Sequence, residues 1–283
     1  MSGNKSEWSS SQRSLALHIA ALQREALGGK QEAVPDVKVE KAEEKPIEEK
    51  PREEKSREDK RLHVGKRLFH MNRWENALKE FQLVDADKID VSEQAELAYY
   101  LGLCYTKLER YDEAVLYLEQ VVTTGNDPLR SYQCRMTLAL IYIRTNRARM
   151  AEFELKRLKN AGFESALMYN ALAYAAYNQK RYRQAIDYYE KTLELDNNNT
   201  TAMNSMGYIL ADRGFDTVRG LTFCRRAVDI KPRNAAYMDS LGWAYYKCGE
   251  MTEARSWLQK AVESAPKEKE ILEHFRMVTG EAV

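Results

Sequence analysis

The sequence predicts an all-α fold: a solenoid of about six helix pairs closed by a C-terminal cap helix. Three observations predict it. Small residues recur at Gly65, Gly102, Ala139, Ala173, Gly207 and Gly242, at spacings of 37, 37, 34, 34 and 35 residues. A second small residue follows twelve positions later at Ala77, Ala114, Ala151, Ala185 and Ala254, and thirteen later at Gly220. Turn signals fall between: Asn146-Arg147, Gly214-Phe215 and Gly249-Glu250 within pairs, and Asn197-Asn198-Asn199, Pro232 and Pro266 between them. Composition agrees, with only 6 Pro but 17 Tyr and 31% charged residues, which suits helices packed through tyrosines.

From the N-terminus, residues 1–28 form a Ser-rich lead and a short amphipathic segment. Leu15, Ile19, Leu22 and Ala26 lie on one helical stripe that Gly28-Gly29 ends. The apolar run is short, His18 interrupts it and no clean A-x-A site follows, so it reads as a poor signal peptide, and cytoplasmic residence is expected. Residues 29–57 are a charged tether in which a Glu-Glu-Lys unit repeats from Glu43, Glu48 and Glu53. It lacks the apolar area to offset its ordering entropy. Once Pro stops at position 51, the same charge pattern can turn helical. Residues 58–283 hold the repeats.

The repeat spacing has a direct physical cause. Two helices joined by a tight turn approach closely only where small side chains meet, and large apolar residues must fill the layer around that crossing. Those residues are Tyr169, Leu172, Tyr182, Tyr189 and Leu195 in the fourth unit, and Leu241, Tyr245, Leu258 and Val262 in the sixth. One pair cannot bury its apolar face alone, so pairs stack. After Pro266, residues 269–278 form the cap helix, with Ile271, Leu272, Phe275 and Val278 inward.

The stretches Tyr99-Tyr100-Leu101-Gly102-Leu103-Cys104-Tyr105 with Tyr111-Asp112-Glu113-Ala114, and Asp239-Ser240-Leu241-Gly242-Trp243-Ala244-Tyr245, carry a family resemblance. The chain resembles the tetratricopeptide repeat, over about three quarters of its length. The last two first-helix motifs, at Asn204–Tyr208 and Asp239–Trp243, look like the terminal repeats of bacterial members. The resemblance implies a right-handed superhelix whose first helices line a concave groove for partner segments. The fifth unit departs most, with Gly220 for Ala and Cys224 at a large position, which leaves the closeness of its helix pair open.

Groove columns are counted from the small residue. The expected partner-binding residues are Tyr99, Leu103, Met136 and Leu140 in the first three units. In the last three they are Asn170, Tyr174, Tyr177, Asn204, Tyr208, Asp239, Trp243 and Tyr246. Exposed rings give a large contact area at low entropy cost, and side-chain amides can hold a peptide backbone. The alternative is that these rings only pack between neighbouring first helices. The family's carboxylate clamp is not met: Leu62 stands where its first Lys belongs and Tyr100 where an Asn belongs. The aliphatic stripe Leu62, Leu103, Met136, Leu140 and Ile143 would be costly to leave wet, and residues 13–27 are its candidate cover in cis, sealing the groove or blocking it until a partner competes.

Other chemistry finds little support. Lys plus Arg number 44 and Asp plus Glu 43, so no net field draws nucleic acid or membrane. No G-x-S-x-G, P-loop, H-E-x-x-H or G-x-G-x-x-G motif occurs, and no acid/base pair stands out. Hence no enzyme, no catalytic residue, no cofactor and no metal site is expected. Cys104, Cys134, Cys224 and Cys248 form no C-x-x-C and read as buried thiols. No stretch approaches the roughly 20 apolar residues of a membrane span. The sequence therefore reads as a scaffold or adaptor binding a protein or peptide partner, organising a larger bacterial assembly. Envelope, flagellar or secretion machinery enters by analogy with the family alone. Two other readings stay open. One is a peripheral adaptor held at the inner membrane by the N-terminal helix. The other is an RNA-associated factor using the basic third unit around Arg135, Arg144, Arg147, Arg149 and Arg157.

Overall fold

The computed structural model describes residues 52–124 and 127–280. The amphipathic segment 1–28, most of the tether, and with them the docking of residues 13–27, lie outside the described residues. Among the described residues there is no strand, and no helix is long and apolar enough to cross a membrane. They fall into two compact units, up to Leu158 and from Lys159 onward.

The N-terminal unit comprises α1 (Arg52–His70), α2 (Trp74–Gln82), α3 (Val91–Lys107), α4 (Tyr111–Thr124), α5 (Pro128–Arg144) and α6 (Ala148–Asn160). Helix α1 opens directly after Pro51, so the last residues assigned to the tether are already helical. The C-terminal unit comprises α7 (Ala166–Asn178), α8 (Tyr182–Leu195), α9 (Thr200–Asp212), α10 (Thr217–Ile230), α11 (Ala235–Lys247), α12 (Met251–Ser264) and α13 (Lys269–Thr279). Helices pair α1 with α2, α3 with α4, α7 with α8, α9 with α10 and α11 with α12. Arg135 on α5 grips Glu154 on α6 at 2.6 Å.

Short polar side chains set where the first helices start. Asp90 accepts from the Glu93 amide while Glu93 accepts from the Asp90 amide, a reciprocal capping box for α3. Asp127 caps α5, with Pro128 as its first residue, and Ser165, Asn199 and Asn234 cap α7, α9 and α11. The turns within pairs share one geometry. Asn72, Glu109, Asn146, Lys180, Gly214 and Gly249 all have φ between 58° and 85°. They repeat at the 37- and 34- to 35-residue spacing of the crossings. A left-handed residue at this point reverses the chain sharply enough to bring α2 back on α1, and so on along each unit.

The crossings are where the sequence places them. A Cβ added at Gly102 would come within 2.7 Å of the Leu118 side chain, and one at Gly65 within 2.5 Å of the Phe81 ring. In the other pairs Ala139, Ala151, Ala173 and Ala185 are fully buried. The Gly207–Gly220 pair, whose closeness the sequence left open, comes tightest against facing backbone, more so than Gly242, where the nearest backbone atom would be 3.0 Å away. A Cβ on Gly220 would lie 2.7 Å from the Gly207 carbonyl oxygen. The missing alanine methyl there lets α9 and α10 approach more closely rather than less.

Three of the four cysteines, Cys104, Cys134 and Cys224, are buried, Cys248 is half-buried, and all four are free. Burial pushes the Cys104 and Cys134 thiols up to about 12 and the Cys224 thiol higher still. Helix α13 turns Ile271, Phe275 and Val278 inward as expected, with Leu272 half-buried. Leu195, assigned to the fourth unit's layer, is instead 54% exposed, because it is the last residue of α8 and projects past the crossing.

Candidate functional site

The first helices do carry the columns read from the sequence, but most of those side chains are not exposed. Leu103, Met136, Leu140, Asn170, Tyr174, Asn204, Asp239 and Trp243 are buried; Tyr99, Tyr177, Tyr208 and Tyr246 are half-buried. The expectation of an exposed ladder is corrected accordingly. In the N-terminal unit α1 packs on α3 and α3 on α5, and in the C-terminal unit α9 packs on α11 and α11 on α13. Neighbouring first helices thus shield much of the face they present. Leu62, Met136, Leu140 and Ile143 each retain 7% exposure or less, so the aliphatic stripe is dry rather than wet. Tyr99 keeps its hydroxyl satisfied by donating to Gln133 at 2.7 Å, and the Arg130 guanidinium lies 5.5 Å from its ring.

In the C-terminal unit one column becomes a chemical series. Asn170, Asn204 and Asp239 occupy equivalent positions on α7, α9 and α11, and His274 on α13 continues them 35 residues after Asp239. Both Asp239 carboxylate oxygens lie 2.9–3.0 Å from His274 Nδ1. A carboxylate only accepts, so that nitrogen donates. The imidazole stacks on Trp243 with centroids 4.1 Å apart, and Tyr208 lies 6.1 Å away. Trp243 Nε1 donates to Asp212 Oδ1 at 3.0 Å, and the Lys247 ammonium lies 5.0 Å from the indole. Burial pulls His274 toward its neutral form, but the hydrogen bond and charge of Asp239, with Glu270 and Asp212 beyond, outweigh it and hold the pKa above its ordinary value. Asp239 and Trp243 are therefore both engaged in hydrogen bonds inside the unit. Sequence reading missed His274, although the 35-residue step past Pro266 was the signal for it.

The other half of the series is the opposite case. Asn170 and Asn204 retain 3% and 6% exposure, and neither Oδ1 has a hydrogen-bond partner. Two buried amides on successive first helices thus keep an unmet demand, with half-buried Tyr177 and Tyr208 one to two turns further along the same helices. Burial, with Glu270 next, raises the Tyr177 phenol to about 12, so it is a hydrogen-bond donor at neutral pH. Among the described residues no group of three or more His, Cys, Asp or Glu side chains is placed to hold a metal ion.

Comparison with known proteins bears on the same architecture. Tetratricopeptide-repeat family models match residues 65–129, 166–199 and 234–265. A TPR repeat-containing protein of Pseudomonas aeruginosa is 31% identical over 77 residues, a match covering 27% of this chain and only 13% of that protein's length. Among solved structures, the MamA protein aligns with a TM-score of 0.54 at 19% identity, over 68% of this chain and 99% of MamA. YrrB, described as a TPR protein with an unusual peptide-binding site, aligns with a TM-score of 0.52 at 17% identity, over 65% of this chain and 92% of YrrB. Helix pairs crossing on small residues at a 34- to 37-residue period, with repeats matched in both units, make this chain a tetratricopeptide-repeat protein.

Proposed function

We propose that the chain is a protein-interaction scaffold that holds an extended partner segment by its main chain, along the first helices of the C-terminal unit. The observation that carries this is the pair of buried amide oxygens without a hydrogen-bond partner at Asn170 and Asn204. A buried acceptor without a donor costs about 1–3 kcal/mol, and a fold keeps such a cost where something else satisfies the group. Each amide can turn either its oxygen or its NH₂ outward, so the pair can both accept from and donate to a peptide bond. Tyr177 and Tyr208, half-buried on the same helices, and Tyr246 on α11 add ring surface for side chains of the segment. The peptide-binding site described for YrrB lies on a similarly folded protein and supports the reading by analogy. The scaffold would serve a larger assembly of which the bound segment is one component.

The test couples two measurements. Peptides selected from a random 12-residue display library on the full chain are assayed against wild type and an Asn170→Leu/Asn204→Leu variant. Leucine matches the shape of asparagine and removes the unmet acceptors, so the variant should melt higher while binding at least tenfold more weakly. Peptides bound equally well by both proteins, or no enriched peptide at all, would remove the groove from its role.

A further inference from the structure

The second helices of the N-terminal unit carry a surface that the groove reading does not use. Helix α6 turns Ala151, Leu155 and Leu158 fully inward. Its two carboxylates also turn inward, at 9% exposure each: Glu154 is held by Arg135 at 2.6 Å and Glu152 by Lys156 at 2.7 Å. The outer face is left with Arg149, Met150, Phe153, Lys156 and Arg157. At 100° per residue these fall within an arc of roughly 120°. Phe153 is 56% exposed and Met150 46%. Neither Arg149 nor Arg157 has a carboxylate partner among the described residues, and the Arg157 guanidinium lies 5.0 Å from the Phe153 ring.

Helix α4 extends this face. Arg147, just before α6, meets Asp112 on α4 at 2.9 Å, and Arg144, at the end of α5, meets Glu109 in the turn before α4 at 3.1 Å, so the turns that open α4 and α6 are tied together. Leu116, one turn beyond Asp112, is the counterpart of Phe153 and is 67% exposed. Large apolar side chains left exposed at equivalent positions of successive repeats mark a contact surface, whereas scattered single ones do not. Ridges on two adjacent helices form a groove that a third helix fits.

We propose that this face docks an acidic amphipathic helix of a partner protein, with its apolar stripe on Leu116, Met150 and Phe153 and its carboxylates on Arg149 and Arg157. Charge decides the partner. Guanidinium forks match carboxylates in bidentate geometry. A polyanion sheet or strand matches poorly, because the exposed carboxylates of Asp112 and Glu119 on α4 border the same apolar stripe and would repel it. The cationic stretch runs only about 12 Å along α6, and three cations supply about 3 kcal/mol at an anionic lipid surface, short of stable anchoring. A helix can instead set its acidic edge over α6 and leave α4 to its apolar one.

The experiment uses a labelled 20-residue peptide of Leu, Glu and Ala, with Leu at helical i, i+3, i+4 and i+7 positions and Glu along one flank. Its binding to the full chain is read by fluorescence anisotropy. Phe153→Asp and the double variant Arg149→Glu/Arg157→Glu should each weaken binding at least tenfold, with unchanged circular dichroism. A matching Lys-for-Glu peptide should recover binding to the charge-reversed double variant. The Asn170→Leu/Asn204→Leu variant should bind like wild type, which separates this surface from the groove. Absence of binding, binding indifferent to both variants, or no recovery by the Lys peptide would overturn the proposal. So would phosphatidylserine vesicles or poly-U RNA binding through Phe153 and Arg157 in place of the peptide.

Discussion

The two units solve the same packing problem with different periods. In the N-terminal unit the first helices α3 and α5 are 17 residues long; in the C-terminal unit α7, α9 and α11 are 13. The added turn lies at the N-terminal end. Gly102 and Ala139 stand eleven residues into their helices, whereas Ala173, Gly207 and Gly242 stand seven in. The crossing itself is unchanged, so a repeat absorbs extra residues only away from the point of closest approach. The longer period is accompanied by exposed ion pairs between successive turns, and by an apolar column of Leu62, Tyr99 and Met136. The shorter period sets Asn170, Asn204, Asp239 and His274 in register.

Four measurements test this contrast. The largest effect is expected where backbone meets backbone. Gly220→Ala should cost about 3 kcal/mol, because the Gly207 carbonyl cannot step aside, while Gly102→Ala should cost about 1 kcal/mol, because the Leu118 side chain has some freedom to repack. Equal losses in urea unfolding would mean that the two crossings are equally tight. Next comes pH. The pKa of His274 is raised on folding, so its contribution is complete below the unfolded value near 6.5 and is lost as pH rises through the higher folded value. The α13 end of the C-terminal unit should therefore melt lower at pH 8.5 than at pH 6, and His274→Gln should flatten that dependence. Asp239, Glu270, Asp212, Trp243 and Tyr208 are the groups facing the ring. A wild-type profile as flat as the variant's would show that the pair is not titrating.

The third effect is a gain. Lys180 holds φ 60°, where Gly has no steric cost, and Lys180→Gly should raise stability by about 0.5–1 kcal/mol. The smallest belongs to the N-terminal unit's surface. Arg147→Ala removes an exposed ion pair with Asp112 and should cost under about 1 kcal/mol, with less still in high salt. A loss insensitive to salt would show that Arg147 acts by packing.

The repeat register was legible because helix crossings tolerate few residue types: Gly102, Ala139 and Gly242 could hardly be anything larger. Burial of the groove columns was not. A column such as Leu103 and Leu140 says which face a side chain takes, but not how closely the neighbouring first helix approaches that face. Asp239 illustrates this: its spacing groups it with Asn170 and Asn204, yet its partner His274 lies on the helix that caps the stack. The turns at Glu109 and Lys180 were hidden for another reason. Neither residue type advertises a left-handed conformation, and only the periodic position reveals it.

The buried thiols have a practical consequence. Cys104 and Cys134 lie in one unit and Cys224 in the other, each shut away from solvent and held protonated by burial. None can react with an alkylating reagent until its surroundings open. The native sequence therefore carries a separate clock in each unit. Timed labelling followed by mass spectrometry would read how often each opens, and whether they open together, without a single substitution.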